Sequence, residues 1–225
     1  FVTLVTHISV VGTHKEKVIE SIKHYPVNRV VLLIEGDEKY REVAEAIERE
    51  IRGFVGTEIV EMEREDILKN AMKIIELINE ERDKGYDVKL NISNSTDNLG
   101  VSCYLAALAT GVEIYSSISR VEGGKVVGVS RVYEVPLFPL KEVGEEREKI
   151  MRILYESEIN SMDEIIYKIN PKVKEKELLG ERARISYHIK MLKDYGFVES
   201  QRTGKNVRLR LTPLGELYLK GRRLI

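Results

Sequence analysis

Residues 87–111 read DVKLNISNSTDNLGVSCYLAALATG, and the order of residue types in this stretch decides the fold class. Val88, Leu90 and Ile92 form an extended apolar run. Asn94, Ser95, Thr96, Asp97 and Asn98 break it, and Val101, Tyr104, Leu105 and Leu108 then recur at helical spacing until Gly111 closes the helix. A strand that stops in a polar turn and restarts as a helix is the unit of an open α/β sheet. In such a sheet the turn lies at the carboxyl edge of the strands, where free backbone N–H groups and a helix N-terminus favour anionic or polar ligands. Asn94 to Asn98 is therefore a candidate ligand site. The same residue types are also ordinary turn and N-cap residues, and the stretch alone leaves both readings open.

The preceding chain repeats the same unit. Val2 to Val11 reads as a buried strand that breaks at Gly12 and Thr13 before a helix through Val18, Ile19 and Ile22, so the turn Ser9 to His14 is the first strand-to-helix connection. Asn28 to Ile34 (NRVVLLI) is too uniformly apolar to have a wet face, as expected of a parallel strand covered on both sides. There follow a helix with Tyr40, Val43, Ala44, Ile47 and Ile51 on one face, a short strand around Thr57 to Val60, and a long helix through Ile67, Leu68, Ala71, Ile74, Ile75 and Ile78. This alternation predicts an α/β fold with a mostly parallel, Rossmann-like sheet and right-handed crossovers. Beyond Gly111, two extended runs, Val112 to Ser119 and Lys125 to Val135, meet at Glu122-Gly123-Gly124-Lys125, the signal of an antiparallel hairpin that finishes the sheet. Pro136 and Pro139 then make a stiff connector, which sets expected domains at 1–140 and 141–225.

The second expected domain is a small α+β unit of three helices, a β-hairpin and a last helix. In GERARISYHIKMLKDYG (180–196), Ile185, Ile189 and Leu192 define a buried stripe. Ala183, Ser186, Tyr187 and Lys190 are left outside, with Arg182 and Arg184 near the start, a surface suited to the DNA major groove. Tyr187 reads equally as an aromatic at the core edge. Phe197 to Gln201 and Val207 to Leu211 flank the turn Arg202-Thr203-Gly204-Lys205-Asn206, a wing with a basic tip in which Val207, Leu209 and Leu211 alternate with Arg208 and Arg210. Thr212 and Pro213 supply the N-cap and first position of a final helix through Leu214, Leu217 and Tyr218.

Charge follows the same division. The 225 residues carry a net charge of −1, yet residues 182–225 hold 11 basic and 3 acidic side chains, a concentration that suits a polyanionic partner. Cys103 is the single cysteine and falls on a helix, so it reads as a small buried side chain and excludes a disulfide framework. No apolar run reaches membrane-spanning length, and FVTLVTHISVV lacks the flanks of a signal peptide, so a cytoplasmic protein without membrane partners is expected. Neither a complete Gly-x-Gly-x-x-Gly fingerprint nor a Walker A sequence is present, which argues against a dinucleotide oxidoreductase or an NTPase. A metal cluster would require His7 and His14 to meet across a turn. Ser93, Ser95 or Thr96 would need a base to act as a nucleophile, and no sequence feature places one. No catalytic residue, metal ligand or cofactor is expected.

The segment ISYHIKMLKDYGFVESQRTGKNVRLRLTPLGELYL, residues 185–219, resembles the recognition helix and wing of archaeal and bacterial winged helix-turn-helix regulators. Read with that partner, the first domain resembles the CRISPR-associated Rossmann-fold (CARF) domain of archaeal regulators. In that family the turns after the first and fourth strands together bind cyclic oligoadenylate across a homodimer two-fold. The resemblance implies ligand contacts from Ser9, Val10, Gly12, Thr13, Asn94, Ser95, Thr96, Asp97 and Asn98. The turn departs from the family's usual glycine-rich pattern ending in Thr and a cation, since Asp97 follows Thr96. The expected function is a ligand-responsive transcriptional regulator, a homodimer that senses a nucleotide such as cyclic tetra-adenylate and binds double-stranded DNA. Arg202, Lys205, Arg208 and Lys193 would reach phosphates, while Arg184, Ser186, Tyr187 and Lys190, beside Arg182, would read base edges. The alternative is a nucleotide-processing enzyme, a cyclic oligoadenylate phosphodiesterase whose winged helix is an interaction module.

Overall fold

The apolar run that opens the sequence becomes strand β1 (Leu4–Val10), buried along all but its first residue. The computed structural model describes residues 3–139, 143–203, 206–221 and 224–225, and divides into two units, Phe1–Leu137 and Phe138–Ile225. In the first, β1 is flanked by β2 (Arg29–Glu35) and β4 (Tyr86–Asn91) in a six-stranded sheet completed by β3 (Gly56–Met62), β5 (Glu113–Glu122) and β6 (Lys125–Glu134), in the order β3-β2-β1-β4-β5-β6. The first five are parallel, and β6 returns antiparallel through a turn at Gly123 and Gly124, whose φ angles of 56° and 77° glycine adopts without a Cβ clash. Helices α1 (Lys15–Ile22) and α2 (Glu38–Ile51) cover one face; α3 (Ile67–Asp83) and α4 (Asp97–Thr110) cover the other. The side-chain alternation of β1 serves both layers: Ile8 and Val10 join Ile74, Ile78, Leu99 and Cys103, and Val11 beyond its end joins Val18, Ile19, Ile22 and Ile47. Among the described residues no helix is long and apolar enough to cross a membrane.

Two helices turn differently from the expected periodicity. On α4 the face against the sheet is Leu99, Ser102, Cys103, Ala106 and Ala107, and Val101 is 49% exposed. This helix is apolar almost all round, so the spacing of its large residues does not select a face. Small side chains bring its backbone close to the sheet instead. On α3, Leu68 points outward, and Asn70 is buried, donating to the Glu63 carbonyl at 2.7 Å and accepting from the Glu63 N–H at 2.9 Å. That pair fixes the entry of the helix better than another apolar contact would.

The second unit holds α5 (Glu145–Glu156), α6 (Met162–Ile169), a 3-10 turn at Glu175–Glu177, α7 (Leu178–Asp194), the antiparallel pair β7 (Val198–Thr203) and β8 (Asn206–Leu211), and α8 (Pro213–Gly221). One core, including Ile150, Leu154, Ile165, Ile185, Ile189, Leu192, Val198, Leu209 and Leu219, joins the four helices and both strands. The Thr212 hydroxyl accepts from the Gly215 N–H at 3.1 Å, capping α8, and donates to the Gly196 carbonyl at 2.6 Å.

Polar groups in the doubly covered sheet must find partners within it. His7 is fully buried in β1. Its Nε2 lies 2.9 Å from the Pro26 carbonyl, which only accepts, so Nε2 carries the proton and Nδ1 accepts from the Tyr115 hydroxyl at 2.6 Å. Burial, opposed by the bond to Pro26 and reinforced by the charge of Lys89, pushes the imidazole pKa down from 6.5 to about 4. The unfolded chain therefore takes up this proton first as the pH falls. His7's contribution is complete above the unfolded value and is lost progressively between about pH 6.5 and 4, by on the order of 3 kcal/mol. Urea denaturation across that window should show a flatter stability curve for His7→Gln than for the wild type. Parallel curves would assign the pH dependence to another group.

Candidate functional site

The strand order reverses at β1, with β2 built on one side and β4 on the other. Beyond the carboxyl ends of β1 and β4 the connections diverge to opposite faces, and a crevice opens between them. Ser9 and Asn91 stand opposite each other in the last paired register there. Asn91 donates to the Ser21 hydroxyl at 2.8 Å and accepts from the Ser93 N–H at 3.0 Å, which folds the chain inward after β4. Gly12 is buried against that fold: a Cβ at this position would lie 2.5 Å from the Asn94 carbonyl oxygen. The two loops meet only because residue 12 has no side chain. Asn94 Oδ1 then accepts from the His14 N–H at 3.3 Å.

Among the described residues this packing leaves three buried polar atoms without a hydrogen-bond partner at one sheet edge, Ser9 Oγ, Ser93 Oγ and Asn94 Nδ2. Each is costly to bury unpaired, and each can take a bond from a bound water or ligand. Around them Thr13, Ser95, Asp97 and Asn98 are exposed and Thr96 is half-buried. Thr96 stands at the N-cap of α4 but does not cap it, because its hydroxyl donates to Glu35 Oε1 at 2.8 Å. Asn98 donates to the Arg64 carbonyl at 3.2 Å. The side chain of Val10 belongs to the apolar core, which leaves only its backbone for a ligand. The polar loop residues expected from sequence are thus gathered at the switch point. Asn91, Ser93 and Glu35 join them, and a legible signal for Asn91 was a polar residue at an inward position of an apolar strand.

Among the described residues the Ser9 and Ser93 hydroxyls have no hydrogen-bond partner, and burial pushes the Cys103 thiol up to about 12, which disfavours its thiolate. His7 is engaged below the site and His14 is exposed on its loop.

In the second unit α7 turns Ile185, Ile189 and Leu192 inward and leaves Arg182, Ala183, Ser186, Tyr187, Lys190 and Lys193 exposed. Three of the expected DNA-contacting arginines are already paired. Arg182 makes two bonds to Asp163 at 2.7 and 2.6 Å, Arg184 is held by Glu181 at 2.6 Å and by Glu146, and Arg208 by Asn160 at 2.9 Å and Glu158 at 3.7 Å. His188 Nε2 lies 2.9 Å from Glu146, and its pKa is lowered by burial and by Arg147 and Arg184. Lys190 and Lys193 make no ion pair among the described residues. The Arg202 side chain and Lys205 lie outside the described residues.

Residues 5–120 match the family model described as HFX_2341_N:-like, N-terminal. A protein of Archaeoglobus fulgidus, named only as an uncharacterized protein, is 26% identical over 218 residues, 95% of this chain and 96% of its own length. Among solved structures, Enterococcus italicus Csm6 bound to cyclic hexa-2'-fluoro-hexa-dAMP aligns over 86% of this chain and 59% of its own, at 13% identity and a TM-score of 0.47. Can2 from Sulfobacillus thermosulfidooxidans, in complex with cyclic tetra-adenylate, aligns over 96% and 57%, at 14% identity and 0.41. VC1899 from Vibrio cholerae aligns over 96% and 64%, at 10% identity and 0.44. This chain covers less than two thirds of each of these three structures' chains.

The closeness of the two loops makes Gly12→Ala a specific test. The added methyl must displace the Asn94 backbone, at a cost of about 1–3 kcal/mol, whereas Thr13→Ala in the same loop should stay within about 0.5 kcal/mol of wild type. Thermal unfolding compares them, and equal midpoints would mean that the loops part freely.

Proposed function

The chain belongs to the HFX_2341_N:-like, N-terminal family, and from that premise we propose that it is a ligand-responsive, DNA-binding regulator whose first unit senses a nucleotide and whose second unit is a winged helix-turn-helix. The observation that carries the sensing half is the set of unpartnered buried atoms of Ser9, Ser93 and Asn94 at the switch point. They supply hydrogen bonds suited to base or ribose edges, beside the first-turn N–H groups of α4, which suit a phosphate. These groups and the switch-point topology support a nucleotide sensor, and the resemblance read from the sequence makes it a CARF-type sensor of cyclic oligoadenylate associated with CRISPR defence. In this reading the first unit works by binding, through the hydrogen-bonding groups of Ser9, Ser93 and Asn94.

Leu68 and Met72 of α3 and Val101 of α4 are exposed apolar side chains on adjacent helices, and they support pairing of two first units as a homodimer. Two winged helices would then meet successive half-sites on DNA. Within each, the unpaired Lys190 and Lys193 with Ser186 and Tyr187 form the contacting face, joined by the basic wing. Arg182, Arg184 and Arg208 chiefly hold the unit together.

Calorimetry with cyclic tetra-adenylate tests the sensor. One ligand is expected per two chains, with binding lost in Asn94→Leu, which removes the unpaired donor; absence of heat with any cyclic oligoadenylate would sink the cyclic-nucleotide reading. For DNA, the log-log salt slope of the dimer should have a magnitude of about 4 to 8. Lys190→Ala or Lys193→Ala should lower it by about 1 for each phosphate no longer neutralised, and Arg184→Ala should lower it less. A salt-insensitive affinity, or the reverse order of effects, would count against the assigned face.

A further inference from the structure

Several cations of the second unit are neutralised inside it: Arg182, Arg184, Arg208 and Lys220 each have a carboxylate partner. A cavity of about 520 Å³ between the end of α5, β8 and α8 is balanced in charge, lined by Arg208 and Arg210 and by Glu156, Glu158 and Glu216. A smaller groove is not. Between α5 and α6 a space of about 320 Å³ is lined by Lys149, Arg152, Ile153, Glu156, Lys168 and Ile169. Ile153 and Ile169, packed on the core, give it an apolar floor. Lys149 and Arg152 lie one helical turn apart on α5, and Lys168 joins them from α6. Among the described residues none of the three makes an ion pair, and Lys168 Nζ donates only to the neutral Ser157 hydroxyl at 3.0 Å. Glu156, the one acid present, stands a turn beyond Arg152 without pairing to it, so the groove stays net positive.

Three like charges lining one groove repel one another, and an anion bound among them turns that repulsion into attraction. The guanidinium fork of Arg152 presents parallel donors to an oxyanion, and the two ammonium groups add further donors. Arg152 alone would satisfy the two oxygens of a carboxylate, whereas a terminal phosphoryl group has three and matches three cations. The apolar floor calls for more than a bare ion, and the volume falls at the small end of ligand pockets. We propose that this groove binds a small phosphorylated molecule, its phosphoryl group held by Lys149, Arg152 and Lys168 and its apolar body resting on Ile153 and Ile169. The site lies wholly within the second unit and does not depend on the sensing role of the first.

The test is a phosphorus NMR titration of the full chain with phenyl phosphate and with inorganic phosphate. Saturable binding is expected, with phenyl phosphate roughly tenfold tighter because its ring covers the isoleucines, and both are lost in Lys149→Glu/Arg152→Glu. Lys149→Gln/Arg152→Gln, which removes charge without reversing it, should weaken both if the double reversal does not fold. Equal affinities for the two probes, or binding unchanged in the neutralised variant, would overturn the site. Displacement of phenyl phosphate by duplex DNA would also overturn it, by making the groove part of a nucleic-acid surface.

Discussion

Helices on both faces of β1 leave it no wet side, and this constraint governs the first unit. Any polar group carried into the strand must be satisfied by the layers that cover it. Along the middle of β1 this is achieved: the Thr6 hydroxyl donates to the buried Glu81 carboxylate, which also holds Arg29 and Lys84, and His7 is fixed between Pro26 and Tyr115. At the carboxyl edge the compensation stops. Ser9, Ser93 and Asn94 are enclosed by the same layers yet lack partners. The strand is thus complete where it only holds the fold and incomplete where its order reverses. The candidate site is this local shortfall, framed by the packed layers around it.

That frame rests on close approach at small residues. Gly12 admits the Asn94 backbone, and Cys103, Ala106 and Ala107 bring α4 down onto the sheet. Drawing α4 inward by its small face turns larger apolar residues outward, Val101 among them, so the packing that positions the site also exposes the apolar residues on which the proposed dimer rests. Site geometry and proposed assembly are two results of one choice of helix face.

In the second unit the decisive factor is which charges are already engaged. Glu146 binds both Arg184 and His188, tying α7 to α5, and Asp163 binds Arg182, tying α7 to α6. These pairs orient α7 on the helices behind it. They also separate cations that position the unit from cations that remain available, and Lys190 and Lys193 fall in the second group. Exposed pairs of this kind contribute little stability each, so their value lies in orientation.

Much of this was legible in the residues themselves. Uniformly apolar strands, polar breaks and helical spacing determined an α/β sheet, because periodicity and turn chemistry are local properties of the chain. The same locality made the Asn94 to Asn98 turn stand out, along with the Gly123-Gly124 hairpin and the Thr212 cap. Only the tertiary structure decided which face of α4 packs inward, since a helix apolar all round carries no directional signal. It alone decided that Leu68 is exposed while Asn70 is buried, that Val10 serves the core, and that Ser93 is enclosed without a partner. Arginine counts near the carboxyl end could not reveal that Arg182, Arg184 and Arg208 are engaged, because an ion pair between residues far apart in sequence exists only once the fold brings its two charges together.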